Sequence, residues 1–136
     1  MKKIFLSSLL AASSLLATEG YEVYKKNCMS CHVEMMKKDN ALQNLKNLKA
    51  PPMVEVSNRI KENIIIKDDD DDVHRHLFVL FVKDYIINPK LDNSMCHAGA
   101  LERFGTMPSL KGKLTNEERE AVAQWLYERY EDVKFD

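Results

Sequence analysis

Cys28-Met29-Ser30-Cys31-His32 places two thiols three positions apart, with an imidazole directly after the second. That pattern serves three chemistries: covalent attachment of haem, half of a zinc site, or a redox dithiol. A zinc site needs about four protein ligands, usually delivered as two paired half-sites. The other cluster, Cys96-His97, is two adjacent residues and is poorly spaced for a tetrahedral pair. A thioredoxin-like dithiol needs a βαβ setting, and the chain has no alternating strand pattern of any length. Haem attachment needs what is present. Two thiols on one turn reach the two vinyl groups, and His32 then sits under the iron as its proximal ligand. One motif means one haem c and one iron.

The elements that must position these residues belong to one small domain, since the chain has 136 residues. The formal net charge is -1, and the lysines and arginines are scattered rather than gathered in a stripe. Nucleic-acid binding, which rests on a basic surface, is not expected. Met1-Lys2-Lys3, the apolar run Ile4 to Leu16 and the small Ala17 read as a secretory signal peptide over 1–17. The run is shorter than the roughly 20 residues of a spanning helix; the alternative is an uncleaved membrane anchor. Residues 18–136 are then the folded domain, mildly acidic and located in the periplasm, where c-type haem is attached. An exported chain normally pairs its thiols. With Cys28 and Cys31 on haem, Cys96 is left over, either as a small apolar residue or as a partner for an intermolecular disulfide.

The pattern predicts an all-α domain of short helices and long loops. Thr18 to Cys28 reads as a helix capped by Thr18, with Tyr21, Tyr24 and Cys28 on one face. Residues 33–50 read as loop with a short helix. Ala50-Pro51-Pro52-Met53 breaks any helix. Ser57 to Ile66 reads as a further helix, weakened by the β-branched run Ile64-Ile65-Ile66. The five aspartates Asp68 to Asp72 read as a solvated loop whose end caps the next helix, Val73 to Asn88. Leu77, Leu80 and Phe81 form its stripe, and Phe78 to Val82 is apolar all round, which predicts burial on more than one side. Pro89 ends it. Residues 89–113 read as one long, turn-rich functional segment. Thr115-Asn116-Glu117-Glu118 is a capping box that opens the last helix, with Ala121, Val122, Trp125 and Leu126 on its buried face.

From Gly20 to about Tyr130 the chain resembles the class I c-type cytochromes, the monohaem cytochrome c family. Gly20 and Tyr24 before CMSCH resemble the contact positions of that family's first helix, and Val122, Trp125 and Leu126 resemble their partners on the last. Ala50-Pro51-Pro52 is similar to the proline segment whose carbonyl accepts a hydrogen bond from the proximal histidine, a bond that fixes the ring and raises its basicity. Phe104-Gly105-Thr106-Met107-Pro108 resembles the methionine loop. The resemblance implies a cytochrome c-like fold around one haem, bound by Cys28, Cys31, His32 and Met107, with His32 and Met107 as the iron ligands. Met95 and His97 are the rivals of Met107; His74 and His76 are expected to be solvated or paired with aspartate. The acidic insert before the central helix and Cys96-His97 depart from the family pattern.

The function implied is single-electron transfer between respiratory redox partners, with no catalysed bond-making. The partners expected are a membrane reductase or oxidase complex, or a soluble peroxidase or reductase, with peripheral membrane association as an option. The overall acidic charge predicts docking to basic groups. Two other functions fit the same motif: a haem-bearing subunit of a larger oxidoreductase, and a haem enzyme or sensor with an open or exchangeable sixth ligand.

Overall fold

The computed structural model describes residues 19–67 and 70–136. The signal peptide and its cleavage site, the Thr18 cap, and Asp68 and Asp69 lie outside the described residues. What is described is all-helical and contains no strand: α1 over 19–27, α2 Lys38–Gln43, α3 Met53–Asn63, α4 Asp71–Tyr85, a 3-10 turn Leu91–Asn93, α5 Ala98–Phe104 and α6 Asn116–Arg129.

Local chemistry sets the element ends. At α6 the Thr115 hydroxyl accepts from the Glu118 N–H at 3.1 Å, and the Glu118 carboxylate accepts from the Thr115 N–H at 2.8 Å. The expected capping box is formed, and it satisfies two backbone donors that a helix start leaves open. At α4 the Asp70 side chain accepts from the N–H groups of Asp72 and Val73 at 3.0 and 3.1 Å. The described end of the aspartate run is therefore the helix cap. Pro51-Pro52 stands directly before α3, so that helix starts at Met53, four residues earlier than Ser57, and stops at Asn63 before the isoleucine run. The prolines break the preceding chain but suit a helix start, where a missing N–H costs nothing.

Other expectations change as well: α4 starts two residues before Val73 and ends at Tyr85, three before Asn88. Residues 89–113 are not one loop, because they hold a 3-10 turn and the seven-residue α5. On α4 the buried residues are Phe78, Val79 and Val82, while Leu77 and Leu80 remain 40% and 48% exposed. The apolar segment has two faces, and the core takes only one. The reason is α6: α4 packs chiefly on that helix. Lys83 and Arg75 reach across to Glu120 and Glu128, which fixes the rotation of α4 about its axis.

α1 crosses α6 at Gly20. A Cβ there would stand 2.3 Å from the Ala121 carbonyl oxygen and 2.4 Å from the Trp125 Cβ, so the backbones meet at a distance open only to glycine. Beside the crossing the Tyr24 ring stacks on Trp125 at 4.7 Å between centroids, and Tyr130 meets Trp125 edge-on at 6.2 Å. Tyr24, Tyr130 and Phe78 are fully buried. This aromatic cluster joins the two terminal helices and forms the floor under the attachment segment.

Candidate functional site

The turn after α1 carries the attachment motif. Cys31 and His32 donate their N–H groups to the Cys28 carbonyl at 3.1 and 2.9 Å, and Cys28 donates to Tyr24 at 2.8 Å. One tight turn thus collects both thiols and the imidazole. Three neighbours hold it. The Tyr24 hydroxyl donates to the His32 carbonyl at 2.7 Å. Met53 N–H donates to Val33 at 2.7 Å. The Tyr130 hydroxyl donates to the Glu34 carbonyl at 2.7 Å, and Arg129 pairs with the Glu34 carboxylate at 2.8 Å. Burial pushes the Tyr24 hydroxyl up to about 12, so it stays a donor across the physiological range.

This turn is one wall of a cavity of about 210 Å³. A second wall, the distal one, comes from residues 95–110, and α3, the end of α4 and Trp125 complete the lining. Cys28, Cys31, His32 and Met107 all line it, so the structure brings together the four residues singled out in the sequence. Gly105 makes the approach of Met107 possible. It ends α5 with φ 68° and ψ -161°, a conformation that is essentially glycine's alone. Ser109 then ties the loop back to the Ile87 carbonyl at 2.6 Å, and Leu110 N–H donates to Ile86 at 2.8 Å.

The histidines separate by hydrogen bonding. His32 Nδ1 faces the Pro51 carbonyl at 2.8 Å. A carbonyl only accepts, so Nδ1 carries the proton and Nε2 keeps its lone pair, the form a metal ligand needs. Burial holds the His32 pKa below its ordinary value, against the opposing pull of the Pro51 bond. His97 has the opposite arrangement. It lines the cavity, but its Nδ1 accepts from the Gly99 N–H at 3.1 Å as the N-cap of α5. Its neutral ring therefore carries the proton on Nε2 and presents a donor. His74 is not solvated, as its place beside the aspartates suggested. Its Nε2 donates to the Lys61 carbonyl at 3.0 Å, and its Nδ1 accepts from the Tyr127 hydroxyl at 3.1 Å. Neither His74 nor His76 lines the cavity.

The thiols are unbridged. Cys31 is exposed, while burial and then the Cys31 charge push Cys28 up to about 11. Met95 and Cys96 also line the cavity from the distal wall. Sequence reasoning missed Glu55 and Arg59 on α3 and Lys49 before it, which add polar groups to a mostly apolar lining. The i, i+4 spacing of Glu55 and Arg59 was the available signal. Arg59 Nε is buried without a hydrogen-bond partner among the described residues.

These residues fit a haem c. Two thiols, an imidazole nitrogen with its lone pair and a thioether line the same cavity. The orphaned guanidinium nitrogen is suited to the acidic edge of such a group. Among the described residues no group of three or more His, Cys, Asp or Glu is arranged to hold a metal ion.

Comparison with known proteins agrees with this chemistry. The family model for cytochrome c matches residues 17–78, the stretch that contains CMSCH and the proline segment and ends before Met107. An uncharacterized protein of Aquifex aeolicus is 38% identical over 145 residues, covering 97% of this chain and 90% of that one. No solved structure matches the chain. The attachment turn, its proline-bound histidine and the family match share one stretch of chain, so residues 17–78 are a cytochrome c domain, which supports a haem-binding electron-transfer protein whose cofactor is covalently bound haem c with its iron.

Proposed function

We propose that this protein is a periplasmic monohaem cytochrome of class I that carries single electrons between respiratory partners. Cys28 and Cys31 hold the haem as thioethers, and His32 and Met107 ligate its iron. The observation that supports this reading is that His32 and Met107 line one cavity, with the His32 tautomer set by Pro51. Haem c supplies a one-electron change at iron. The chain's own residues do the rest. Pro51 fixes the His32 ring, and Tyr24 and Trp125 keep the turn rigid. The apolar walls exclude water, so little rearranges when charge changes. A thioether ligand and burial both favour the less charged state and raise the potential.

Residues 1–17 act as the export signal in this reading and 18–136 as the domain. No helix among the described residues is long and apolar enough to cross a membrane. Docking uses the attachment face, where Met29, Val33 and Met35 are exposed and are flanked by exposed Lys25, Lys26, Lys37 and Lys38. The net charge of the chain is acidic, but docking responds to the charge nearest the contact. The partner is a reductase, oxidase or peroxidase with acidic groups around its own redox site.

The deciding experiment compares the spectra of haem-loaded parent and Met107→Ala. The weak long-wavelength band of thioether-ligated ferric haem should be present in the parent and lost in the variant. A parent without that band has an open or exchangeable sixth site, which makes it a sensor or enzyme. A second reading, a haem subunit of a larger oxidoreductase, is favoured by one observation. Val73, Leu77 and Leu80 form an exposed apolar stripe on α4, opposite its core face. Sedimentation of the purified protein as a monomer at high concentration counts for the free carrier.

A further inference from the structure

The outer face of α4 carries a pattern that the fold does not use. Asp70, Val73, Leu77, Leu80 and Asp84 recur at helical spacing and so share one stripe. The core takes the other side of the helix, through Phe78, Val79 and Val82. Both aspartates of the stripe are exposed, as are the three apolar side chains between them. At 1.5 Å per residue the stripe runs for about 20 Å. Asp71 and Asp72 lie exposed beside its start. Among the described residues no ion pair involves any of these four aspartates. The cations of α4 are spent elsewhere: Arg75 pairs with Glu128 and Lys83 with Glu120, both on α6.

The stability of the helix accounts for one end of this stripe and not the other. Asp70 caps α4, and Asp71 and Asp72 suit the positive end of the helix dipole. Asp84 stands in the last turn, where the dipole disfavours an anion, and its carboxylate accepts from the Asn88 amide at 2.9 Å. Leu77 and Leu80 gain little from folding while they face water. An apolar stripe at this spacing, closed at each end by a carboxylate, has the layout of a helix-docking face.

We propose that the outer face of α4 is a second docking surface, and that it takes an apolar helix of a partner protein with lysine or arginine at both ends of the contact. The inference deepens the reading of the chain as part of a larger oxidoreductase and is independent of the iron's ligands. Charge complementarity selects the partner: Val73, Leu77 and Leu80 supply contact area, and the aspartates at the ends favour basic groups and repel acidic ones. The attachment face has the opposite sign, with exposed Lys25, Lys26, Lys37 and Lys38 around Met29, Val33 and Met35. The two faces therefore choose different partners, and a protein held on α4 leaves the attachment face open. A second copy of the chain would bring its lysines from that attachment face, and stacking would close the surface through which each copy exchanges electrons.

The test is a titration of the haem-loaded, reduced full chain, followed by backbone amide NMR. The probe is a synthetic amphipathic helix with leucines along one face and a lysine at each end of that face. A control peptide carries glutamate in place of the two lysines. The lysine peptide should give saturable shifts centred on Val73, Leu77, Leu80 and Asp84, and salt should weaken them. The control peptide should bind about tenfold more weakly, and so should the lysine peptide to L77S/L80S and to D84K. These positions are exposed, so both variants should melt with the parent. Shifts centred on the attachment face or spread over the surface overturn the proposal, as does equal binding of the two peptides or affinity unchanged in L77S/L80S. Shifts on α4 that grow with protein concentration alone, without peptide, overturn it in favour of a second copy. Failure of the haem reading looks different: no covalent haem, or a spectrum indifferent to Met107→Ala.

Discussion

The two walls of the haem cavity are built to different standards. The attachment wall is held from three directions, by Tyr24 on α1, by Tyr130 and Arg129 at the end of α6, and by Pro51 and Met53 at the start of α3. The distal wall has longer ties: Asn63 donates to the Met95 carbonyl at 3.4 Å and Arg103 to the Leu45 carbonyl at 3.3 Å. No hydrogen bond among the described residues ties Thr106, Met107 or Pro108 to the rest, and the anchors are Gly105 behind them and Ser109 and Leu110 beyond. The two histidines that line the cavity repeat the contrast. His32 is half-buried with its lone pair on the nitrogen away from its backbone partner, and His97 is exposed with its lone pair spent on a helix cap. A covalent anchor needs one exact turn; a sixth ligand needs only a loop that reaches.

The largest effect should come from the attachment wall. His32→Ala should remove the proximal ligand and the Pro51 bond together, and haem-loaded protein should lose its low-spin spectrum and melt far below the parent. Met107→Ala should keep covalent haem and most of the thermal stability while lowering the potential. Equal loss of stability from the two substitutions would erase the difference between the walls.

Next is the floor under the turn. Gly20→Ala forces a Cβ into the Ala121 carbonyl and Trp125. Overpacking of this kind costs about 1–3 kcal/mol, and denaturant titration of the apoprotein or holoprotein reads it. An unchanged midpoint would mean that α1 does not cross α6 at that position.

Tyr24→Phe removes only the hydroxyl that holds the His32 carbonyl. A buried bond of this type contributes roughly 1 kcal/mol. On the distal side Ser109→Ala, at an exposed hydroxyl, should cost less in the same titration. A larger cost at Ser109 would reverse the ranking of the walls.

The smallest effect concerns pH. Burial pushes the Lys61 amine down to about 8, against nearby acidic groups. It donates to the Tyr127 and Tyr130 carbonyls at 2.7 and 3.1 Å, which favours the charged form and limits the effect. Between about 8 and the ordinary lysine value, 10.5, the unfolded chain binds more protons than the folded one. Stability therefore rises with pH across that window and is level below it. Because the group is only half-buried, solvent screening keeps the rise small. Lys61→Met should flatten the profile, and a fall with rising pH in the parent would contradict the sign.

How far the sequence could be read follows from the range of each interaction. The attachment turn, the capping box at Thr115 and the cap at Asp70 depend on partners two to four residues away, so spacing alone determined them. Met107 was reached through a resemblance and through its setting between Gly105 and Pro108; Met95, its rival, also lines the cavity. The cap that His97 makes with Gly99 was one that its sequence neighbours did not advertise.

By itself, then, the sequence determined the haem-attachment chemistry, the helical class and the ends of the best-capped helices, since these rest on short-range geometry and backbone donors that must be satisfied. Only the tertiary structure decided which face of α4 is buried, because Phe78, Val79 and Val82 were as apolar as Leu77 and Leu80 until α6 chose between them. Only it put Glu55 and Arg59 on the cavity that His32 and Met107 also line, since side chains distant in the chain meet at a site only when the helices that carry them have packed.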